Sequence, residues 1–278
     1  ANGKYMSCTT KFLIPRVALA IVVIALFVVQ LLFGAFPVWF FAAPMNLLLL
    51  ALLLVAVWAG YRHRASVAVQ YFLSAEASYV ALAMAAAIAV VLGLQSEPST
   101  TSWPVIGGSL FILTTLTFVV LRGWRNESGV RWRFLVTHCG LWLAIASMLF
   151  GAADKQVLRA YVGEKPTREV VDEQGVRSYL DYELRLENFV MEQSESGAPE
   201  RFCATIAVDD ELVDIEVNSP HSQSYGEDIY LVSYLPYGCV LQIVREPWCG
   251  VTAVGVAMLL LGAFMLFMQG FQRRSQSS

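Results

Sequence analysis

The stretch Arg133–Gln156, RFLVTHCGLWLAIASMLFGAADKQ, joins a long apolar run to a polar segment and so marks a change in the kind of structure. Between Arg133 and Asp154 the run carries no Lys, Arg, Asp or Glu, and as a helix it can cross a hydrocarbon core of about 30 Å. His138 lies one to two turns into this run. A polar side chain at that depth is costly unless it faces a partner or a cofactor. The stretch therefore predicts a membrane span with one candidate functional residue.

Apolar composition extends over most of the chain. Its 278 residues are 57% hydrophobic, with a mean hydropathy of +0.57, which is high for a soluble domain. Six runs are candidate membrane spans: Phe12–Phe33, Pro44–Gly60, Ser74–Leu94, Val105–Leu121, Phe134–Ala152 and Gly250–Met268. They predict an α-helical integral membrane protein, with five spans in residues 1–153 and the final span and a short tail in residues 249–278.

The placement of lysine and arginine orients these spans. Eleven of these cations lie at alternate ends of the spans: Lys4, Lys11, Arg16, Arg62, Arg64, Arg122, Arg125, Arg131, Arg133, Arg273 and Arg274. Six alternating spans place all of them on one side, and the two short loops on the other side, GAFPVWFFAAP and QSEPSTTSW, carry none. Because cytoplasmic loops are enriched in such cations, both termini are predicted to be cytoplasmic and residues 154–248 extracytoplasmic.

The segment 154–248 has the composition and periodicity of a small β domain. It holds nineteen of the chain's twenty-two acidic residues and eight basic ones, which argues against nucleic acid or anionic lipid as its partner. From Tyr182 onward apolar and polar residues alternate, as they do in strands. Asp209 and Asp210 separate two such runs and predict a hairpin turn. Asp228–Leu235 and Cys239–Glu246 predict a second hairpin around Pro236–Gly238. We expect an antiparallel sheet or sandwich of about five or six strands.

The five cysteines form neither C-x-x-C nor C-x-x-C-H, so the sequence has no thioredoxin-like or haem-attachment motif. Cys203, Cys239 and Cys249 lie in or next to the predicted outer segment, where a disulfide can persist. Pairing of the two strand segments that contain them would favour a Cys203–Cys239 bridge. The alternative is that these cysteines are small apolar core residues.

His138 has two interpretations. It could pack or hydrogen-bond within the helix bundle, or its neutral imidazole could ligate a haem iron. If His138 binds haem, either the second axial ligand comes from another polypeptide or the iron is five-coordinate, because the spans supply only this one histidine. Glu76, near the cytoplasmic end of the third span, could face His138 or mark the membrane interface. His63 and His221 are predicted to be surface loop residues.

Four stretches resemble one known family, the ResB-type (CcsB-type) cytochrome c biogenesis proteins. Arg133–Gln156 resembles the family's F-x-x-x-H-x-G-L-W-L…G-A-A-D pattern, and Phe72–Leu94 and Thr100–Trp124 resemble its two preceding helices. Ile215–Trp248, IEVNSPHSQSYGEDIYLVSYLPYGCVLQIVREPW, resembles its ordered N-x-P…R-x-P-W stretch and is the most specific of the four. In all, the likeness extends over about residues 70–278.

This resemblance implies a subunit of the system II cytochrome c maturation machinery in a bacterial inner membrane. Such proteins act with a CcsA-type (ResC-type) membrane partner to carry haem and support its attachment to apocytochrome c. His138 occupies the position of the family's membrane histidine, so the resemblance implies that it ligates haem b shared with the partner. The partner's tryptophan-rich haem-handling motif is not present in this sequence, which implies a non-catalytic subunit of a haem lyase complex.

Two other functions compete with this one. The first is a non-catalytic scaffold of a larger membrane complex, with no haem of its own and with His138 bonded inside the bundle. The second is a transporter or channel, which is the weaker because ionisable residues in the spans are few, chiefly Glu76 and His138, and no paired half-helices are evident.

Overall fold

The computed structural model of the chain describes residues 12–95, 100–127, 129–193 and 199–275. The chain divides into two units, a helical unit of residues 1–153 with 251–278 and a β unit of residues 154–250. Lys4 and Lys11, two of the cations used to orient the spans, lie outside the described residues.

The helical unit contains six helices that are long and apolar enough to span a membrane, as predicted, within the residues just given. A short 3₁₀ helix, Val38–Phe41, and a six-residue helix accompany them. In chain order the helices are α1 Leu13–Phe33, α2 Met45–Arg62, α3 Val67–Phe72, α4 Ala75–Leu94, α5 Trp103–Gly123, α6 Trp132–Gly151 and α7 Cys249–Ser275. Helix α5 contacts α1, α2, α4 and α6 and is the most buried of the spans.

Helix α1 has no buried residue of its own and is held by contacts at three levels. Arg16 forms a two-pronged ion pair with Glu76 of α4, at 2.5 Å (Nε–Oε1) and 2.7 Å (Nη2–Oε2). Farther along, Leu26 lies against Gly107 of α5, where any larger residue would collide with it. The side chain of Gln30 accepts a hydrogen bond of 2.9 Å from the backbone N–H of Trp103. Specific polar contacts therefore supplement apolar packing in fixing this helix.

Two short strands, β1 Arg125–Asn126 and β2 Gly129–Val130, pair in the helical unit. The β unit is one antiparallel sheet of eight strands in the described residues: β3 Gln156–Val162, β4 Thr167–Asp172, β5 Arg177–Gln193, β6 Pro199–Val208, β7 Glu211–Glu216, β8 His221–Ser224, β9 Glu227–Leu235 and β10 Gly238–Arg245. Across the sheet their order is β7-β6-β5-β4-β3-β10-β9-β8. The sheet curls, so that β7 contacts β9. Its inner face forms a single core that includes Leu184, Ile206 and Leu241.

The expectation of five or six strands that begin near Tyr182 was too low, because β3 and β4 precede that point. Strand β3 buries only Leu158, Ala160 and Val162, and alanine is a weak strand signal. Strand β4 has one fully buried residue, Val170. The predicted hairpins are confirmed: Asp209, with φ of 50°, forms the turn between β6 and β7, and β9 pairs with β10.

Candidate functional site

His138 lies on the second turn of α6, and a backbone carbonyl of the same helix fixes which nitrogen of its neutral ring carries the proton. Its Nδ1 lies 2.8 Å from the backbone oxygen of Phe134, one turn earlier. A carbonyl oxygen can only accept, so Nδ1 of the neutral ring carries the proton and donates. The lone pair then resides on Nε2, the atom left to bind a metal or accept a hydrogen bond. The half-buried imidazole is therefore set up as a ligand through Nε2.

Three side chains stack at this end of α6. The His138 ring lies 4.0 Å from the Phe134 ring, between centroids, with an angle of 28° between the planes. The guanidinium carbon of Arg131 lies 4.8 Å from the centroid of the same Phe134 ring, within cation–π range. Phe134 also packs against Gly123 of α5, where a Cβ atom would lie 2.5 Å from the ring. The phenyl ring thus positions both a cation and the imidazole.

A cleft of about 480 Å³ opens beside this stack, between the first turn of α6 and the distal part of α7. It is lined by Arg131, Trp132, Arg133, Phe134, Phe264, Met265 and Met268. The lining combines two guanidinium groups with aromatic rings and thioethers, which suits an amphiphilic molecule with an anionic end. Phe134 belongs to both the cleft and the stack, so the cleft lies one helical turn from His138.

Helix α6 is held in the bundle by hydrogen bonds to three neighbours. The Trp142 indole N–H donates to Thr117 Oγ1 of α5 at 2.9 Å. The buried Asn46 side chain of α2 donates to the backbone oxygen of Phe150 at 3.0 Å. On α7, the Thr252 hydroxyl donates to Ser147 Oγ at 2.9 Å. Together these bonds fix the rotation of α6, and with it the direction of His138.

Glu76 does not face His138, which corrects one of the two positions considered for it. Its carboxylate pairs with Arg16 of α1 in the contact described above. The pair neutralises a carboxylate that would be costly near a membrane. Glu76 therefore joins α1 to α4 and is not part of the candidate site.

The β unit contains a buried polar network that the sequence did not indicate. Tyr182 of β5 donates a hydrogen bond of 2.5 Å from its hydroxyl to Glu227 Oε1 of β9, and Arg245 Nε of β10 donates to Glu227 Oε2. Glu227 is only 7% exposed. Burial raises the pKa of the Tyr182 hydroxyl above its ordinary value, and the hydrogen bond to Glu227 and the charge of that carboxylate raise it further. The network links β5 to the hairpin of β9 and β10, which lies far from β5 in sequence.

This raised pKa predicts a loss of stability in alkaline solution. A group whose pKa is higher in the folded than in the unfolded state stabilises the fold at pH values below its unfolded-state pKa. This contribution is lost as the pH rises above that pKa. For Tyr182 the loss begins above about pH 10 and reaches at most ~1.4 kcal/mol per pH unit. Unfolding of the full-length chain in urea should show a shallower alkaline decline for Tyr182→Phe than for the unsubstituted chain. Equal declines would contradict this prediction.

Two of the stretches that carry the family resemblance meet where the β unit begins and ends. The Trp248 indole N–H donates to Asp154 Oδ2 at 2.8 Å, and Lys155 Nζ lies 2.5 Å from Glu246 Oε1. These contacts tie the first residues of the unit to its last. The stretches Arg133–Gln156 and Ile215–Trp248 were singled out in the sequence, but nothing in them indicated that they contact each other.

The remaining predicted residues lie apart from one another. The strand pairing that favoured a Cys203–Cys239 bridge does not occur, because β5, β4 and β3 lie between β6 and β10. Cys239 is fully buried, and burial raises the pKa of its thiol to about 11, as suits an apolar core residue.

His221 begins β8, where its ring nitrogen Nε2 lies 3.3 Å from Gln223 Oε1. Among the described residues, no three His, Cys, Asp or Glu side chains converge as metal ligands.

These features define a class of protein: a multi-pass membrane protein with an antiparallel β unit between its last two spans. Residues 126–238 match the ResB-like family, so the resemblance seen in the sequence is confirmed over this segment. The matched segment contains His138 and most of the β unit. It supports a role in cytochrome c biogenesis.

Other comparisons add little. No curated protein matches the chain. A solved structure of "Cytochrome c Heme Lyase CcmF" is similar over 67% of this chain, with 10% sequence identity and a TM-score of 0.39. The chain spans about a third of that protein, 33% of its length.

Proposed function

We propose that the chain is a subunit of a system II cytochrome c maturation complex, in which His138 ligates haem b shared with a CcsA-type (ResC-type) partner. The family match over residues 126–238, which include His138, supports this function. The observation that carries the proposal is the contact between His138 Nδ1 and the Phe134 carbonyl, which leaves Nε2 as the ligating atom. This orientation by a second hydrogen bond is the usual arrangement for a metal-binding histidine.

The residues around His138 fit a haem. The imidazole is half-buried at the edge of the bundle, and a cleft with aromatic, thioether and guanidinium groups lies one turn away. Because the spans of this chain supply only one histidine, the second axial ligand of the haem would come from the partner. Helices α2, α5 and α7 fix α6 by hydrogen bonds, so the imidazole would be held ready before the partner binds.

In this proposal the chain holds and orients haem but does not form the thioether bonds. When bound, haem supplies the vinyl groups, and each apocytochrome thiol adds across one vinyl double bond with no leaving group. The high pKa of the Cys239 thiol agrees with a core residue that takes no part in such chemistry. We therefore assign bond formation to the partner.

The topology completes the proposal: both termini lie in the cytoplasm of a bacterial inner membrane, and the β unit faces outward. The placement of Lys and Arg at the span ends supports this sidedness. An outward β unit with nineteen acidic and eight basic residues in 154–248 would attract a cationic client such as an apocytochrome.

The test is co-expression with a CcsA-type partner and purification of the complex. The unsubstituted complex should carry a haem absorbance band, and His138→Ala should lower its haem content at least ~10-fold, since loss of a metal-orienting contact alone costs that much. His221→Ala, a histidine of the β unit, is the matched control and should keep full haem content. Intact complex with unchanged haem in His138→Ala would refute the role of His138.

A scaffold without its own haem is the second candidate. The observation that favours it is that the His138 ring already has a hydrogen-bond partner within the bundle, the Phe134 carbonyl. A colourless purified complex in cells that still mature cytochromes would establish the scaffold and exclude the first proposal.

A further inference from the structure

The cleft beside His138 has a cationic end, formed by Arg131 and Arg133. Arg131 is exposed and Arg133 is half-buried, and both lie in the first turn of α6 or directly before it. Within the described part of the chain neither forms an ion pair. Arg131 contacts the Phe134 ring and, at 3.4 Å, the backbone oxygen of Gly123. Two guanidinium groups beside an apolar cleft are thus available to an anionic ligand.

We propose that Arg131 and Arg133 bind the propionate carboxylates of the haem, which rests on the function proposed above for His138. A guanidinium fork matches the geometry of a carboxylate, as it does that of a phosphate, with two parallel hydrogen bonds. No acidic residue is among the residues that line the cleft, so no carboxylate of the chain competes there.

The spacing along α6 agrees with this assignment. His138 is five residues after Arg133, which is a rise of about 7.5 Å along the helix axis. Arg131 is seven residues before His138, about two full turns, so these two lie at two levels of the same helix face. Arg133 lies on another side of the helix, because five residues are about 1.4 turns, and its side chain still lines the cleft. Between Arg131 and His138, the Phe134 ring is 4.0 Å from the His138 ring and 4.8 Å from the Arg131 guanidinium carbon. In haem the iron lies at the centre of the macrocycle and both propionates lie at one edge, so one molecule can reach the imidazole and the guanidinium groups together.

The opposite wall of the cleft suits an apolar macrocycle edge. It is formed by α7 through Phe264, Met265 and Met268. Thioether side chains adapt to an irregular apolar partner and contact aromatic systems favourably. Phe264 and Met268 are largely exposed in the chain alone, at 59% and 44%. A bound porphyrin would therefore cover apolar surface as well as pair its carboxylates.

The test uses the purified complex with its CcsA-type partner, emptied of haem and titrated by absorbance with haem or with haem dimethyl ester, whose carboxylates are blocked. Arg131→Gln with Arg133→Gln should weaken haem binding about 10- to 100-fold, since a hydrogen bond to a charged group contributes about a tenfold change or more. Binding of the ester should be unaffected. The matched control is Arg62→Gln with Arg64→Gln, which removes the same charge at the end of α2 and should change neither.

Each outcome decides one question. If the Arg131/Arg133 variant binds haem as tightly as the unsubstituted complex, while His138→Ala loses it, the propionate assignment is wrong and the proposed function stands. If His138→Ala keeps its haem, the proposed function itself fails. Equal weakening of haem binding and ester binding would also overturn the assignment. So would weakening of haem binding that is seen only in vesicles with anionic lipid, because it would mean that the arginines bind lipid phosphate. A variant with Lys at both positions checks folding: it should bind haem better than the Gln variant.

Discussion

Arg245→Met is expected to lower the free energy of unfolding of the β unit by about 3 kcal/mol. The substitution keeps most of the side-chain volume but removes the cation that pairs with Glu227. Glu227 is almost fully buried and would retain only the Tyr182 hydroxyl as a partner. Breaking a buried pair from one side costs about 3–5 kcal/mol, because it leaves an uncompensated charge. We expect the low end of this range because the Arg245 side chain is itself 31% exposed.

Pulse proteolysis of the full-length chain in increasing urea would measure this loss as a shift of the midpoint. The control is Arg177→Met, which breaks an ion pair with Glu169 at 3.0 Å whose side chains are 75% and 42% exposed, and which should cost less than ~1 kcal/mol. Adding Glu227→Gln to Arg245→Met should recover part of the loss, because the buried charge is then gone. Similar losses of unfolding free energy for Arg245→Met and Arg177→Met would mean that the buried network stabilises the fold no more than an exposed ion pair does.

The sequence predicted the membrane spans well because span length and apolarity are local properties. The fifth predicted span, Phe134–Ala152, and helix α6, Trp132–Gly151, differ by only one or two residues at each end. The β hairpins around Asp209 and between β9 and β10 were equally local and were correct. Strand β4 was missed because one buried residue, Val170, leaves almost no periodic signal.

Contacts between distant residues could not be predicted from the sequence. Tyr182 and Glu227 are 45 positions apart, and they meet only because the sheet curls. The same reasoning explains why the sequence left two positions open for Glu76: its depth in the membrane was visible, but its partner, 60 residues earlier in α1, was not. The proposed Cys203–Cys239 bridge assumed that two alternating segments pair, and alternation does not specify which strand lies next to which.

His138 illustrates how much of the candidate site was local. Its position in an apolar run and its resemblance to the family motif were visible in the sequence. The choice of Nε2 as the free nitrogen follows from a contact with a residue four positions earlier, which any helix could provide. The cleft was not visible, because α7 supplies three of its seven lining residues from more than 100 positions away.

Gly140→Ala is expected to destabilise the packing of α6 on α7 by about 1–3 kcal/mol, the usual cost of overpacking. A Cβ atom at Gly140 would lie 2.8 Å from the backbone oxygen of Gly255 and 2.8 Å from Cβ of Met258. Neither of these atoms is at the end of a flexible side chain, so the helices must separate. In membranes such small residues allow close helix approach, which is the source of the packing energy. Phe264 and Met265 of α7 line the cleft beside His138, so separation of α6 and α7 should also change the width of that cleft.

Unfolding of the full-length chain in detergent, followed by helical circular dichroism, would measure the effect against Gly93→Ala as control. Gly93 is also within a span, but its Cβ would meet no atom within 4 Å, so the helix propensity of alanine should make that variant neutral or more stable. Gly255→Ala should behave like Gly140→Ala, since its Cβ would lie 2.8 Å from the backbone N of Ala144. The two substitutions should cost less together than the sum of their separate effects, because a single separation of the helices relieves both collisions. Additive losses, or a Gly140→Ala chain as stable as Gly93→Ala, would mean that α6 and α7 do not pack through these glycines.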